Sequence, residues 1–153
     1  MFKKILIPTD GSDLATHVAL EGVEFAKQIG AEVIGVFVAP EFRHPIYVEV
    51  LPPDYPSDEE FHNTMREVGK KYLTAIQDAA HASGLKFSGF VEFSDLTAQK
   101  IARTADEQQC DLIFIGSHGR SGLGQLLLGS VTAKLLSTCS IPVLVHRHRE
   151  SAK

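Results

Sequence analysis

Two stretches of the chain are apolar on consecutive residues: Ile5 to Ile7 within Phe2 to Pro8, and Leu112 to Ile115 within Asp111 to Gly116. A strand with one face in water alternates, so unbroken runs of this kind predict strands covered on both faces, the second of them central. After Pro8 come Thr9 to Asp13, all turn and cap types, and then apolar positions at Leu14, Val18, Ala19, Gly22, Phe25, Ala26 and Ile29. That spacing predicts a helix, stopped by Gly30 as its C-cap. Glu32 to Ala39, rich in Val, Ile and Phe, is the next strand, so the chain opens with a β, α, β unit.

Five of the seven prolines fall between Pro40 and Ser57, which breaks helix and sheet alike and marks a long connection. Connections of that length serve a site or move, and this one is open to two readings, a lid or a plain surface loop. Phe61, Met65, Val68, Tyr72, Leu73, Ile76 and Ala80 then recur at helical spacing up to Gly84. Lys86 to Phe93 alternates, with Phe87, Gly89, Val91 and Phe93 on one face, the pattern of an edge strand. Ser94, Asp95 and Thr97 offer caps for a helix whose inner face is Ile101, Ala102 and Ala105. After the second apolar run, a short helix carries Val131, Leu135 and Leu136, and Pro142 to His146 is a last strand.

Strands alternating with helices throughout predict a single-domain, three-layer α/β/α sandwich on a five-stranded, mostly parallel sheet. With the order 3-2-1-4-5, strands 1 and 4 are the neighbours from which connections diverge to opposite faces, and ligands bind beyond their C-terminal ends. Those ends are Pro8 to Asp10 and Gly116 to Gly119. The domain is expected to span residues 1–148, leaving 149–153 as a tail.

Composition changes this picture little. With 153 residues, 44% hydrophobic and 22% charged, the chain has the size and balance of one soluble globular domain. A net charge of −4 gives no basic footprint for nucleic acid, and His146 to Arg149 is the one basic exception, read as a solvated end. The apolar run at the N-terminus is too short for a secretory signal or a membrane span, so no membrane partner and a cytoplasmic location are expected. Cys110 and Cys139 are too few and too scattered for a disulfide framework or a zinc site, and both read as ordinary buried thiols.

The candidate chemistry lies between Gly116 and Ser130, where five glycines follow the central strand: Gly116, Ser117, His118, Gly119, Arg120, Ser121, Gly122, Leu123, Gly124, and after four residues Gly129 and Ser130. Glycine lets backbone amides approach an anion with no Cβ in the way, and a helix N-terminus adds unpaired N–H groups with partial positive charge. Ser130 and Thr132 place hydroxyls at the start of the last helix, so a di- or triphosphate is the natural guest. No glycine is followed by Lys and then Ser or Thr, no GxGxxG follows strand 1, and Ser117 is not in a GxSxG elbow. A receiver domain shares the architecture but needs an acidic pair after strand 1, where this chain has Asp10 alone. His118 reads as a loop histidine rather than a general base.

Gly116 and Gly119, then nine residues, then Gly129 and Ser130 match the G-x2-G-x9-G-[S/T] signature of ATP-binding universal stress proteins. Together with Ile5 to Asp13 and the SIPVLV ending, the chain resembles that family over essentially its whole length. The resemblance implies an adenine nucleotide alpha hydrolase-like fold and a site for ATP. It places Pro8, Thr9 and Asp10 at the adenosine pocket and the Val38 backbone at the adenine edge. It places Gly116, Ser117, His118, Gly119, Arg120, Ser121 and Gly122 with Gly129, Ser130, Val131 and Thr132 around ribose and phosphates. On the residues alone, Asp10 is equally a cap or turn carboxylate and Val38 equally a core residue.

Mg²⁺ would arrive carried by the phosphates, and the family's pairing of last strands implies a homodimer through Pro142 to Val145. An unpaired apolar edge needs such a cover. Many members have Gly and Pro after strand 3, where this chain has Phe93 to Thr97, so the pocket wall departs from the pattern there. The function expected is an ATP-binding stress-response or signalling module. Two alternatives stand beside it: a slow ATPase or autophosphorylating enzyme, and a nucleotide-free, dimeric partner-binding protein.

Overall fold

The computed structural model describes residues 1–47, 49–118 and 128–148. Gly119, Arg120, Ser121 and Gly122 of the candidate loop, and the expected tail 149–153, lie outside the described residues. The elements run β1 (Lys4–Pro8), α1 (Asp13–Ile29), β2 (Glu32–Ala39), α2 (Asp58–Ala82), β3 (Phe87–Phe93), α3 (Thr97–Glu107), β4 (Leu112–Gly116), α4 (Ser130–Thr138) and β5 (Val143–His146). All pairings are parallel and the sheet order is β3-β2-β1-β4-β5. This is the predicted single-domain α/β fold. No helix among the described residues is long and apolar enough to cross a membrane.

The two unbroken apolar runs feed two cores, one on each face of the sheet. Ile5, Ile7, Leu112 and Phe114 face α1 and α2, while Leu6, Ile113 and Ile115 face α3 and α4. Successive residues of a strand point to opposite faces, so a central strand must be apolar at every position. The connections carry the chain from β1 through β2 to β3 over one face, then back past β1 to β4 and β5 over the other. β3 and β5 are therefore the sheet edges.

Caps set most boundaries. Gly30 ends α1 in the left-handed region at φ 69°, as its position predicted. α2 starts earlier than its apolar pattern, at Asp58, because Ser57 and Glu60 form a reciprocal capping box. The expected cap of α3 does not form. Its N-cap is Leu96, without a side-chain cap bond, because Ser94 Oγ accepts the Leu96 amide and Asp95 is drawn to Arg43. That 2.6 Å ion pair, with the Glu41 amide on the other Asp95 oxygen, ties the proline-rich connection to the β3–α3 turn. Phe42 packs on Phe61 and Tyr55, closing the base of the connection, while Ile46 and Tyr47 at its tip stand 88% and 96% exposed.

Cys110 is buried, and burial pushes its thiol up to about 12, so it remains a protonated core residue. Cys139 differs from expectation in being only half-buried.

Asp111 joins the heads of the two central strands. Its carboxylate accepts the Lys3 amide at 3.1 and 2.9 Å and the Lys4 amide at 3.0 Å. Burial works to raise its pKa, but the amides of Lys4 and Lys3 outweigh it and hold the carboxyl below its ordinary 3.8. A lowered native pKa contributes stability that is fully present above the ordinary value and lost as pH falls through the native one. Asp111→Ala should lower the unfolding free energy by about 1–2 kcal/mol at neutral pH. Urea melts should show the gap to the unsubstituted protein closing as the pH drops below 3.8; a gap independent of pH would contradict this account.

Candidate functional site

The site begins where β1 and β4 part. In β1 the even-numbered residues turn their backbone groups to β4, as the bond from the Asp111 amide to the Lys4 carbonyl shows, and the odd-numbered ones turn to β2. Pro8 therefore lacks an N–H on its β4 side, and the β1–β4 pairing ends at Leu6 with Ile113. On the other side Thr9 still donates to the Val36 carbonyl at 2.9 Å. In a strand a residue's N–H and C=O point the same way and the direction repeats every second residue. Val38, two beyond Val36, thus turns both groups toward the line of β1, which has already ended at Pro8.

The loop leaving β1 is shaped by its own side chains. Thr9 Oγ1 accepts the Gly11 amide at 3.1 Å, Asp10 Oδ1 accepts the Ser12 amide at 2.9 Å, and Ser12 Oγ caps α1 on the Ala15 amide. Asp10 is thus a turn carboxylate by one oxygen, one of the two roles open to it from the sequence.

Across the gap, β4 and α4 are locked together. The Gly116 carbonyl faces the side from which β1 has departed, and Thr132 Oγ1 donates to it at 2.8 Å. The Gly129 amide donates to the Ser117 carbonyl at 2.7 Å, and the Ser117 amide to the His146 carbonyl at 2.9 Å. The Thr132 hydroxyl, expected at a phosphate, is committed to the backbone instead. The first bond inside α4 runs from the Ala133 amide to the Gly129 carbonyl. The amides of Ser130, Val131 and Thr132 therefore have no acceptor within the helix, and its N-cap, Gly129, has no side chain to cap them. Ser117 Oγ lies 3.0 Å from His118 Nδ1, and His118 Nε2 is buried without a hydrogen-bond partner among the described residues.

These elements enclose a cavity of about 300 Å³. Pro8, Thr9, Asp10 and Val38 line it from β1 and β2, and Gly116, His118, Gly129, Ser130, Val131 and Thr132 from β4 and α4. Ser117 stands behind this wall rather than in it, 6% exposed. Sequence reasoning missed Ala15, Val18, Val36, Thr97, Ile101 and Ile115, which complete the lining. Most of them are apolar residues at core periodicity, and only their height along the strand or helix separates a cavity wall from a core. The result is a mostly apolar cavity with a few polar groups in its wall, the usual composition of a small-molecule site. Among the described residues no three His, Cys, Asp or Glu side chains gather to hold a metal ion.

Known proteins share both sequence and fold with this chain. The universal stress protein family profile matches residues 1–147. A universal stress protein of Methanocaldococcus jannaschii, MJ0531, is 32% identical over 95% of this chain and 82% of its own length. The solved structure of MJ0577, from the same organism, superposes with a TM-score of 0.79 at 29% identity, covering 99% of both chains. Two further structures share the fold with TM-scores of 0.61: a universal stress protein in complex with cAMP, 21% identical over 95% of this chain and 97% of its own, and one from Archaeoglobus fulgidus in complex with dAMP, 20% identical over 94% and 96%. By sequence and by fold alike, the chain belongs to the universal stress protein family.

Proposed function

We propose that this protein binds an adenine nucleotide of the ATP class in the cavity between β1, β2 and β4, and acts as a nucleotide-dependent stress-response or signalling module. The observation that carries the reading is the pairing of two backbone devices across one apolar slot. At one end, the N–H and C=O of Val38 turn toward the gap that β1 leaves. The edge of adenine bearing its amine and N1 presents the complementary donor and acceptor. At the other end the first residues of α4, whose amides have no acceptor within the helix, line the cavity, which suits an anion. His118 Nε2 adds a buried polar atom in the same wall. An unpartnered buried group costs stability until something bonds to it, and a nucleotide oxygen would do so.

Adenine nucleotides in two fold neighbours support this reading. Asp10 lines the same cavity, and a carboxylate there would accept from ribose hydroxyls. A divalent cation would come with the phosphates, since Mg²⁺ keeps several waters and needs few protein ligands.

Nucleotide analysis of the purified protein and thermal titration with ATP test the proposal. ATP at about 100 times its dissociation constant should stabilise the fold by roughly 2.7 kcal/mol. Gly129 has φ −58°, which any residue adopts, so Gly129→Val should fold yet lose this shift, because a side chain at this lining position would obstruct an anion's approach to the α4 amides. A full shift in a folded Gly129→Val protein would refute the phosphate assignment.

We further propose that β5 pairs with a second copy. In β4 the Ser117 amide donates to the His146 carbonyl and the Ile113 amide to the Pro142 carbonyl, so even-numbered residues of β5 serve the sheet and Val143 and Val145 turn outward. Pro at 145 would remove an outward N–H and leave the β4 ladder intact. Sedimentation should show dimers for the unsubstituted protein and monomers for Val145→Pro; a monomer in the first case overturns the proposal.

A further inference from the structure

The β1–α1 loop carries Thr9 and Asp10 into the cavity wall, and its turn rests on a side chain that is not in that wall. Gly11, next to Asp10, has φ +76°, in the left-handed region that glycine occupies without strain. A Cβ built on Gly11 would fall into the ring of Tyr72, with Cδ1, Cε1 and Cζ its nearest atoms. The aromatic ring therefore covers the Gly11 backbone with no space for a side chain between them. Tyr72 belongs to α2, and its ring meets Phe37 of β2 edge to face, 5.1 Å between centroids and 90° between planes. The ring is thus braced by the sheet on one side and bears on the loop with the other.

The loop's own bonds run from Thr9, Asp10 and Ser12 side chains to amides two or three residues on. They set its local shape and say nothing of where that shape sits relative to the sheet. From outside, the Val36 carbonyl holds the start of the loop at Thr9, and Tyr72 backs its turn at Gly11.

We infer that Tyr72 is a positioning residue of the nucleotide site: its ring fixes the height of the Gly11 turn, and through it the placement of the Asp10 carboxylate and Thr9 in the cavity. The inference rests on the nucleotide reading above for its consequence, but its structural half stands without a ligand. It also makes Gly11 and Tyr72 interdependent, since any side chain at 11 must displace the ring.

Four proteins test it: the unsubstituted chain, Tyr72→Ala, Tyr72→Phe, and Ile76→Ala, a buried core residue one turn further along α2. Two quantities are read, the ATP dissociation constant by calorimetry and, without nucleotide, the exchange rate of the Ser12 amide by NMR. Tyr72→Ala should weaken ATP by about tenfold, within the range of couplings between contacting groups, and speed Ser12 exchange. Tyr72→Phe, which keeps the ring and gives up only what the hydroxyl bonds, should be less impaired than Tyr72→Ala in both. Ile76→Ala should lower the melting temperature while moving neither. Should Tyr72→Ala not fold, Tyr72→Leu carries the same expectation, because it fills the core without supplying a flat ring.

Unchanged affinity and exchange in Tyr72→Ala would overturn the inference. So would equal effects from Ile76→Ala, or a Phe variant as impaired as the Ala one. If the unsubstituted chain binds no ATP, the nucleotide reading fails, and Ser12 exchange still decides whether the ring holds the loop.

Discussion

The structure depends on where β1 stops pairing with β4. These two strands are central neighbours, and their connections leave for opposite faces, which opens a gap between them at their C-terminal ends. Pro8 enforces the parting by removing the amide that would have continued the ladder, while the Thr9 amide keeps β1 attached to β2. Among the described residues, two sets of backbone groups border the gap from the strands on either side of β1. One is the Val38 pair on β2, and the other is the Gly116 carbonyl on β4. The fold treats them differently, satisfying Gly116 from within through Thr132 and leaving the Val38 edge to the cavity.

That difference explains how α4 is placed. A helix N-terminus meets an anion only if its axis is held at a fixed height above the strand that precedes it. Two bonds from the described end of the loop do this, from the Thr132 hydroxyl to Gly116 and from the Gly129 amide to Ser117. The Thr132 hydroxyl contributes to the site by fixing the helix, and the anion would be met by main-chain amides. A site built this way constrains backbone position more tightly than side-chain identity.

The sheet order, the nine elements and the switch point were legible in the sequence because a parallel sheet writes itself as unbroken apolar runs, visible at Ile5 to Ile7 and Leu112 to Ile115. The start of α2 was less so, since Asp58 to Glu60 are polar and are helical through the Ser57 capping box rather than through a buried face. The cap of α3 was misread for a reason no local pattern reveals. Asp95 has two possible uses, and its partner Arg43 lies fifty-two positions away in the chain. The same holds for the cavity wall. Ile101 and Ile115 look like core because they are apolar at core spacing, and only the early end of β1 leaves them facing a void.

Much of the site's polar capacity is already engaged within the fold. Thr9 and Asp10 each accept a loop amide, Thr132 holds Gly116, and Ser117 holds His118. Side chains engaged in this way keep a fixed geometry and add little new chemistry, which suits recognition more than turnover. His118 differs, with one ring nitrogen held by Ser117 and the other buried in the cavity wall. The Ser117 hydroxyl can donate to Nδ1 or accept from it, so the contact fixes the plane and height of the ring while Nε2 acts as acceptor or donor according to which way the hydroxyl turns. Nε2 thus keeps one place in the cavity wall, and the Ser117 hydroxyl, outside the lining, adjusts whether that nitrogen gives or receives a hydrogen bond there.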